Sequence, residues 1–288
     1  MKNQEKKQKK YLSYNELIML GAIIGDVVGS IYEFSNIKKK DFPFWGKYCE
    51  YTDDSILTIA TAAWLLSGGD VARYYSKYAE ENGTPLGGYG SMFRRWVTRT
   101  IVDEDFSPYN SCGNGSAMRV SPVGWAFDSE TEVLEWAKKS AECTHNHPEG
   151  IKGAQATALS IYLARKGKSS AEIRKRIAKD FEYDLSLSVD EIRSRYSWQG
   201  LDGAGNGGTC QGSVPQAIVC ALEATDFEDS IRNAISIGGD SDTIGCITGS
   251  IAEALFGIPE DIRQKGMSYL PKELKYVVEA FETKYGKG

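Results

Sequence analysis

The sequence predicts an all-α fold, a compact single helical domain, on three observations. Apolar residues recur at spacings of three and four along most of the 288 residues. Alternating strand patterns bounded by turns are nearly absent, and no period of about 20–50 residues repeats. No linker divides the chain, which leaves one domain over 14–288 behind a basic, solvated tail, "MKNQEKKQKK", within 1–13.

The first helix reads as "NELIMLGAIIGDVVGSIYEF" (15–34). Gly21, Gly25 and Gly29 stand four apart and make one groove along one face. Each glycine costs a helix about 1 kcal/mol against alanine, so three together require a return, which close packing of another helix supplies. Asp26 and Glu33, seven apart, fall on a common face of that helix. The next helix is "DDSILTIATAAWLL" (53–66), too apolar to lie at the periphery. "EGIKGAQATALSIYLARKG" (149–167), "SVPQAIVCALEA" (213–224), "FEDSIRNAISI" (227–237) and "DTIGCITGSIAEALFG" (242–257) follow. Ser129, Ser169, Asp226 and Pro259 read as caps or first-turn residues, and Gly167 and Gly257 as stops. The glycine density of 182–212, ending "QGLDGAGNGGTCQG", marks that stretch as a loop.

A formal charge of −5 argues against a general nucleic-acid binder, which carries a basic face. No apolar run reaches the ~20 residues that span a bilayer. The six cysteines are scattered, without a CxxC pair, and read as reduced thiols, which makes the cytoplasm the expected compartment.

Two acidic clusters carry the chemistry. Thr52, Asp53 and Asp54 open the second helix; Asp240, Asp242 and Thr243, within "GGDSDTIG", open another. One such entrance is an ordinary helix cap, since acids in a first turn complement the helix dipole. Two entrances, each leading into a helix too apolar to be peripheral, suggest that they face one another. Four carboxylates held together repel by several kcal/mol at low dielectric. A cation removes that repulsion, and carboxylate and hydroxyl oxygens select hard ions: Mg²⁺ or Mn²⁺ before zinc, with Ca²⁺ possible. Four to five acidic ligands exceed the usual share of one Mg²⁺, so two ions are expected. Between the clusters, "NSCGNGSAMRVSP" (110–122) runs a Gly-Asn-Gly turn into a helix start, either a plain turn or a phosphate cradle. "THNHPEGIKGA" (144–154) holds both histidines, His145 and His147, at a helix entrance, where a substrate-side role and a capping role are both open.

Together "GAIIGDVVGSIYE", "YTDDS", "GNGSAMR", "THNHPEG" and "GGDSDT" resemble, in order and spacing, the ADP-ribosylglycohydrolase family, over about residues 15 to 285. The family includes dinitrogenase-reductase-activating glycohydrolases and ADP-ribosyl hydrolases. The resemblance implies a compact all-α fold around a binuclear centre of two Mg²⁺ (sometimes Mn²⁺) that releases ADP-ribose from modified side chains. It makes Thr52, Asp53, Asp54, Asp240, Asp242 and Thr243 metal ligands, with Asp242 bridging. It makes Glu33 a mobile gate or base beside the metals, so that Glu33, Asp54 and Asp242 are the catalytic candidates. Ser111, Gly113, Asn114 and Gly115 match the loop that holds the distal ribose and diphosphate, and His145 matches a nucleotide-side residue. Some relatives carry an aromatic residue before Gly-Asn-Gly where this chain has Cys112; Tyr32 and Tyr89 are loose candidates for stacking the adenosine instead. The glycine-rich 200–208 lies outside the pattern. The expected substrate is an ADP-ribosylated protein, arginine-linked first, with serine, threonine and small-molecule linkages open, acted on by a monomer without membrane or general nucleic-acid partners. A sensing module or a structural, crystallin-like protein are the non-catalytic alternatives.

Overall fold

A computed structural model describes residues 18–286. Among them the chain is helical, with no strand and a single isolated bridge between Gly113 and Thr209. The helices are α1 (Leu20–Gly29), α2 (Asp53–Ser67), α3 (Val71–Glu81), α4 (Ser91–Val102), α5 (Gly115–Met118), α6 (Ser121–Ala126), α7 (Glu130–Glu142) and α8 (Pro148–Arg165). They continue as α9 (Ser170–Phe181), α10 (Val189–Arg195), α11 (Cys210–Leu222), α12 (Phe227–Ser236), α13 (Ser241–Phe256), α14 (Glu260–Ser268) and α15 (Lys272–Tyr285). None is long and apolar enough to cross a membrane. The basic tail expected over 1–13 lies outside the described residues.

α1 and α13 form the centre. Every residue of α1 is buried, and α13 is buried from Ser241 to Glu253. The glycine stripe explains how closely they approach. A Cβ on Gly21 would lie 2.2 Å from the Gly249 carbonyl oxygen, one on Gly25 1.9 Å from that of Gly245, and one on Gly29 2.5 Å from the Cα of Asp242. Contact at backbone distance needs no side chain on either partner, so the groove of one helix receives the main chain of the other. Glu253 of α13 also accepts a hydrogen bond from the Gly21 N–H at 3.0 Å, satisfying one of the donors that the start of α1 leaves free. α2, α8, α11 and α12 pack around this pair, and α15 closes over α2.

Local signals set the ends. Ser129 accepts from the Glu132 N–H, Ser169 forms a reciprocal capping box with Glu172, and Asp226 accepts from the Asp229 N–H. Gly167 and Gly257 take positive φ beyond α8 and α13. Three boundaries differ from the sequence reading. The first helix stops at Gly29 instead of 34, because its glycine face ends against Asp242 and the chain turns through 30–35; residues 15–17 lie outside the described part. Within the expected loop 182–212, Ser188 and Glu191 form a capping box that starts α10. Thr209 caps α11 three residues upstream of the expected start, accepting from the Gly212 N–H at 3.3 Å.

Candidate metal centre

The α1–α13 crossing delivers the acids to one place: Asp26 from α1, the α2 entrance beside it, and the α13 entrance opposite. Thr52 is a helix cap, its Oγ1 accepting from the Asp54 N–H at 3.3 Å. The acids around it do more than cap. Asp26, fully buried, accepts from the Thr52 N–H at 2.9 Å, the Thr52 hydroxyl at 2.6 Å, the Ser55 N–H at 3.1 Å and the Ser55 hydroxyl. Asp54 Oδ2 accepts from the Thr243 hydroxyl at 3.4 Å, while its buried Oδ1 has no partner. Asp240 stands at the N-cap of α13 yet makes no capping bond; its Oδ2 accepts from Asn114 Nδ2 at 2.8 Å. Asp242 Oδ1 accepts from the Thr243 N–H at 2.9 Å.

Two groups of three carboxylates result, Asp26–Asp54–Asp242 and Glu33–Asp240–Asp242, each able to offer oxygens within 4.8 Å of one another. Asp242 is common to both. Asp53 is in neither group and is half-buried. Burial and mutual repulsion shift these acids upward. Asp54, Asp53 and Asp242 lie well above the usual carboxylate value, from burial first and then from their acidic neighbours. Burial lifts Asp26 to about 6 despite its four donors. Glu33 reaches about 7, from burial first and then the charges of Asp240 and Asp26. Asp240 is raised too, by burial first, with the Asn114 donor holding it back. The donors are all hard oxygen, the orphaned Asp54 Oδ1 faces no protein partner, and the carboxylates are too close to ionise together without a cation. These residues fit a divalent oxygen-seeking metal.

Glu33 does not share a helix face with Asp26, because it lies past the end of α1. Its carboxylate meets the group through a turn held from three sides. Asn36 Nδ2 donates to the carbonyls of Tyr32 at 2.7 Å, Glu33 at 3.0 Å and Gly239 at 2.8 Å, and Asn36 Oδ1 accepts from the Gly239 N–H at 2.8 Å. Trp198 Nε1 donates to the Glu33 carbonyl at 3.0 Å, and its ring stacks on Phe34. Gly87, at φ +76°, passes so close that a Cβ there would stand 2.6 Å from Glu33 Oε2. Asp26, Asn36 and Trp198 are site residues that motif reading missed. For Asp26 the available signal was a lone acid within an otherwise apolar helix.

The 111–115 loop lies against the α13 entrance through Asn114. Three of its amides are already engaged: the Ser111 N–H donates to the Thr144 carbonyl at 3.5 Å, the Gly113 N–H to Ser111 Oγ at 3.1 Å, and the Asn114 N–H to the Gly208 carbonyl at 3.2 Å. A phosphate cradle here therefore does not have those three donors to offer. The same bonds give the glycine-rich 200–208 a place, as the strip that the loop leans on. His145 is buried at 5% exposure, and its Nε2 would stand 3.1 Å from a Cβ on Gly115 and 3.6 Å from one on Gly113. Its Nδ1 pairs with the Thr144 hydroxyl at 2.8 Å. Burial first, then Arg119, hold its pKa well below the usual value, so the ring is neutral. His147 instead caps α8, accepting from the Glu149 N–H at 3.1 Å. Neither loose candidate for stacking presents a free ring: Tyr32 packs edge-on against Phe42, and Tyr89 is buried against Phe93.

Residues 16–284 match the family model described as ADP-ribosylglycohydrolase. The chain is 28% identical to ADP-ribosylhydrolase ARH3 of Homo sapiens, over 87% of this chain and 88% of that one. It is 24% identical to a putative ADP-ribosyl glycohydrolase of Acanthamoeba polyphaga mimivirus, over 83% and 85% of the two chains. A solved structure described as an ADP-ribosylglycohydrolase-related protein complex superposes with a TM-score of 0.69 at 22% identity, covering 93% of this chain and 96% of that one.

Proposed function

Because the chain belongs to the ADP-ribosylglycohydrolase family, and is thereby a glycohydrolase, we propose that it cleaves the glycosidic bond between ADP-ribose and a modified side chain in a Mg²⁺-dependent reaction. Arginine-linked substrates come first; serine-linked, threonine-linked and small-molecule ADP-ribose conjugates are the other substrates of the same reading. The observation that carries it is the pair of buried carboxylate groups sharing Asp242.

Thr52, Asp53, Asp54, Asp240, Asp242 and Thr243 would hold two Mg²⁺, or Mn²⁺ in their place. Bound there, the metal would neutralise the acids, fix the ribose hydroxyls and lower the pKa of a coordinated water. Asp26, which accepts from four donors, orients Thr52 and Ser55 beside that group. The transition state at the anomeric carbon has oxocarbenium character. Glu33 is the residue able to take a proton from the attacking water. Burial and the neighbouring acids raise Glu33 to about 7 in the metal-free site; cations beside it would lower that value toward the ionised form a base needs. Ser111 and the Gly113–Gly115 turn would line the distal ribose and diphosphate, with neutral His145 behind them as a hydrogen-bonding wall rather than a charge.

The test is a panel of ADP-ribosylated peptides incubated with Mg²⁺ and, separately, with chelator. Metal-dependent release of free ADP-ribose supports the reading and ranks the linkages. ADP-ribose binding without release from any conjugate would make the protein a sensor, and neither binding nor release would make it a structural member of the family.

A further inference from the structure

A cavity of about 470 Å³ shares no residue with the carboxylate centre or the 111–115 loop. The first turns of α8, the stretch following α9, the 201–206 strip and the start of α11 line it, and it opens to solvent. Its floor holds polar groups that nothing satisfies. Tyr183 is 5% exposed and its hydroxyl has no partner; Gln216, also 5% exposed, lines the same space. Glu149 Oε2 and Asn206 Oδ1, both buried acceptors lining the same space, are also without donors. Unmet acceptors at such depth cost free energy unless something donates to them. The wall is built rather than loose: the Asn206 carbonyl accepts from the Thr209 N–H at 2.9 Å and from its hydroxyl at 2.6 Å, and Gly212 lies so close that a Cβ would stand 2.0 Å from that oxygen.

Charge narrows the ligand. Glu149 faces the interior and Glu182, Asp184 and Asp202 stand exposed at the rim, against one lysine. That lysine, Lys152, is occupied, its Nζ 3.5 Å from Glu149 Oε1 and 4.6 Å from the Tyr183 ring centroid. An anion would meet like charge, and a neutral polyol would leave the carboxylates uncompensated. A quaternary ammonium would leave the acceptors without N–H donors. We propose that this cavity is a second ligand site, taking a short aliphatic cation with N–H donors at both ends, such as a diamine, a polyamine or a guanidino-amine. One end meets Glu149, Asn206, Tyr183 and Gln216 at the floor, and the other meets the rim carboxylates. The proposal is independent of the hydrolase reading.

Calorimetric titration of the full chain, with Mg²⁺ at saturation so that the carboxylate centre is not a competing cation site, tests it with agmatine and spermidine as probes. Tetramethylammonium and glycerol are the controls. The expected result is saturable one-to-one binding of either probe. Glu149→Gln, which keeps shape and removes charge, and Tyr183→Phe, which removes only the hydroxyl, should each weaken it, the first by at least about tenfold. Asp242→Asn should leave it unchanged. No saturable binding below about 10 mM, a free energy under roughly 3 kcal/mol, would overturn the proposal, as would tetramethylammonium binding equally well. Binding that survives Glu149→Gln but is lost in Asp242→Asn would place the cation at the carboxylate centre and overturn it too.

Discussion

Replacing Asp242 by Asn separates a metal centre from a pair of ordinary helix entrances, because the two assign that side chain opposite effects on stability. Asp242 can offer oxygens within 4.8 Å of Asp54 and Asp26 on one side and of Asp240 and Glu33 on the other. At an effective dielectric of about 20, two full charges at that distance repel by roughly 3.5 kcal/mol. Without metal the folded protein avoids this by protonating; burial first, and then this repulsion, hold Asp242 well above its usual pKa. Asparagine has the shape of the protonated acid, and its Oδ1 can still accept from the Thr243 N–H that Asp242 Oδ1 now engages at 2.9 Å. Chelated Asp242→Asn should therefore be as stable as wild type or more so.

Metal should reverse the order. A ligand at a hundredfold excess over Kd stabilises the fold that binds it by about 2.7 kcal/mol. For a chain of this size that is a Tm increase of roughly 5 °C. Loss of the ligand common to both groups, weakening the site about a hundredfold, would cut the gain to about 0.4 kcal/mol, under 1 °C. Thermal melts of both proteins, with chelator and with Mg²⁺, read all four states. Equal shifts on adding Mg²⁺, or none in either protein, would return these carboxylates to helix capping and refute the electrostatic argument.

Chelation should abolish release of ADP-ribose from a modified peptide and added Mg²⁺ or Mn²⁺ should restore it; undiminished turnover in the chelated sample rules out a metal-dependent reaction. Glu33→Gln should lower kcat by about 100-fold or more while changing ADP-ribose affinity, measured by calorimetry, far less; a wild-type kcat would remove Glu33 as the base. Gly25→Ala, which in an open helix would gain about 1 kcal/mol, should instead cost several kcal/mol in urea unfolding, since its Cβ would stand 1.9 Å from the Gly245 carbonyl oxygen. Stability of the metal-free protein should fall as pH rises from about 4 to about 7: Asp26 and Glu33 hold protons more tightly when folded, at about 6 and about 7 against 3.8 and 4.5, so their contribution is complete below the lower values and lost through the upper ones. The fall should be smaller in Asp26→Asn, and an identical pH profile in that variant would contradict it.

What the sequence could convey depended on whether the chemistry was local. Thr52-Asp53-Asp54 and Asp240-Ser241-Asp242-Thr243 are contiguous, so each entrance was legible as a cluster and their likeness suggested a meeting. Asp26 was not, because a lone acid on a helix reads as a solvated charge. Its importance comes from donors 26 and 29 residues away, Thr52 and Ser55. Asn36 and Trp198 were invisible for the same reason: a polar side chain in a turn and a tryptophan in an assumed loop carry no spacing that marks them as the supports of Glu33. The 200–208 strip had no motif to match, and it acquires meaning only when the Gly208 carbonyl takes the Asn114 N–H.

The glycine stripe shows the opposite case, in which a local pattern held information about a distant site. Its spacing implied a close helix neighbour, but not which one. The partner is α13, whose own Gly245 and Gly249 stand four apart and meet Gly25 and Gly21. That contact fixes more than packing. Gly29, the last glycine of the stripe, lies against the Cα of Asp242 itself, so the separation of the two backbones sets how far Asp242 stands from Asp26 and from the α2 entrance that Asp26 holds. A bulkier residue at Gly29 would push against the Asp242 backbone and open the carboxylate groups, while one at Gly25 or Gly21 would press on α13 further from them, at Gly245 and Gly249. Gly29→Ala should therefore weaken Mg²⁺ binding, measured by calorimetry on protein that still folds, more than Gly21→Ala does. The acids supply the charge of the site, and the glycines set its dimensions.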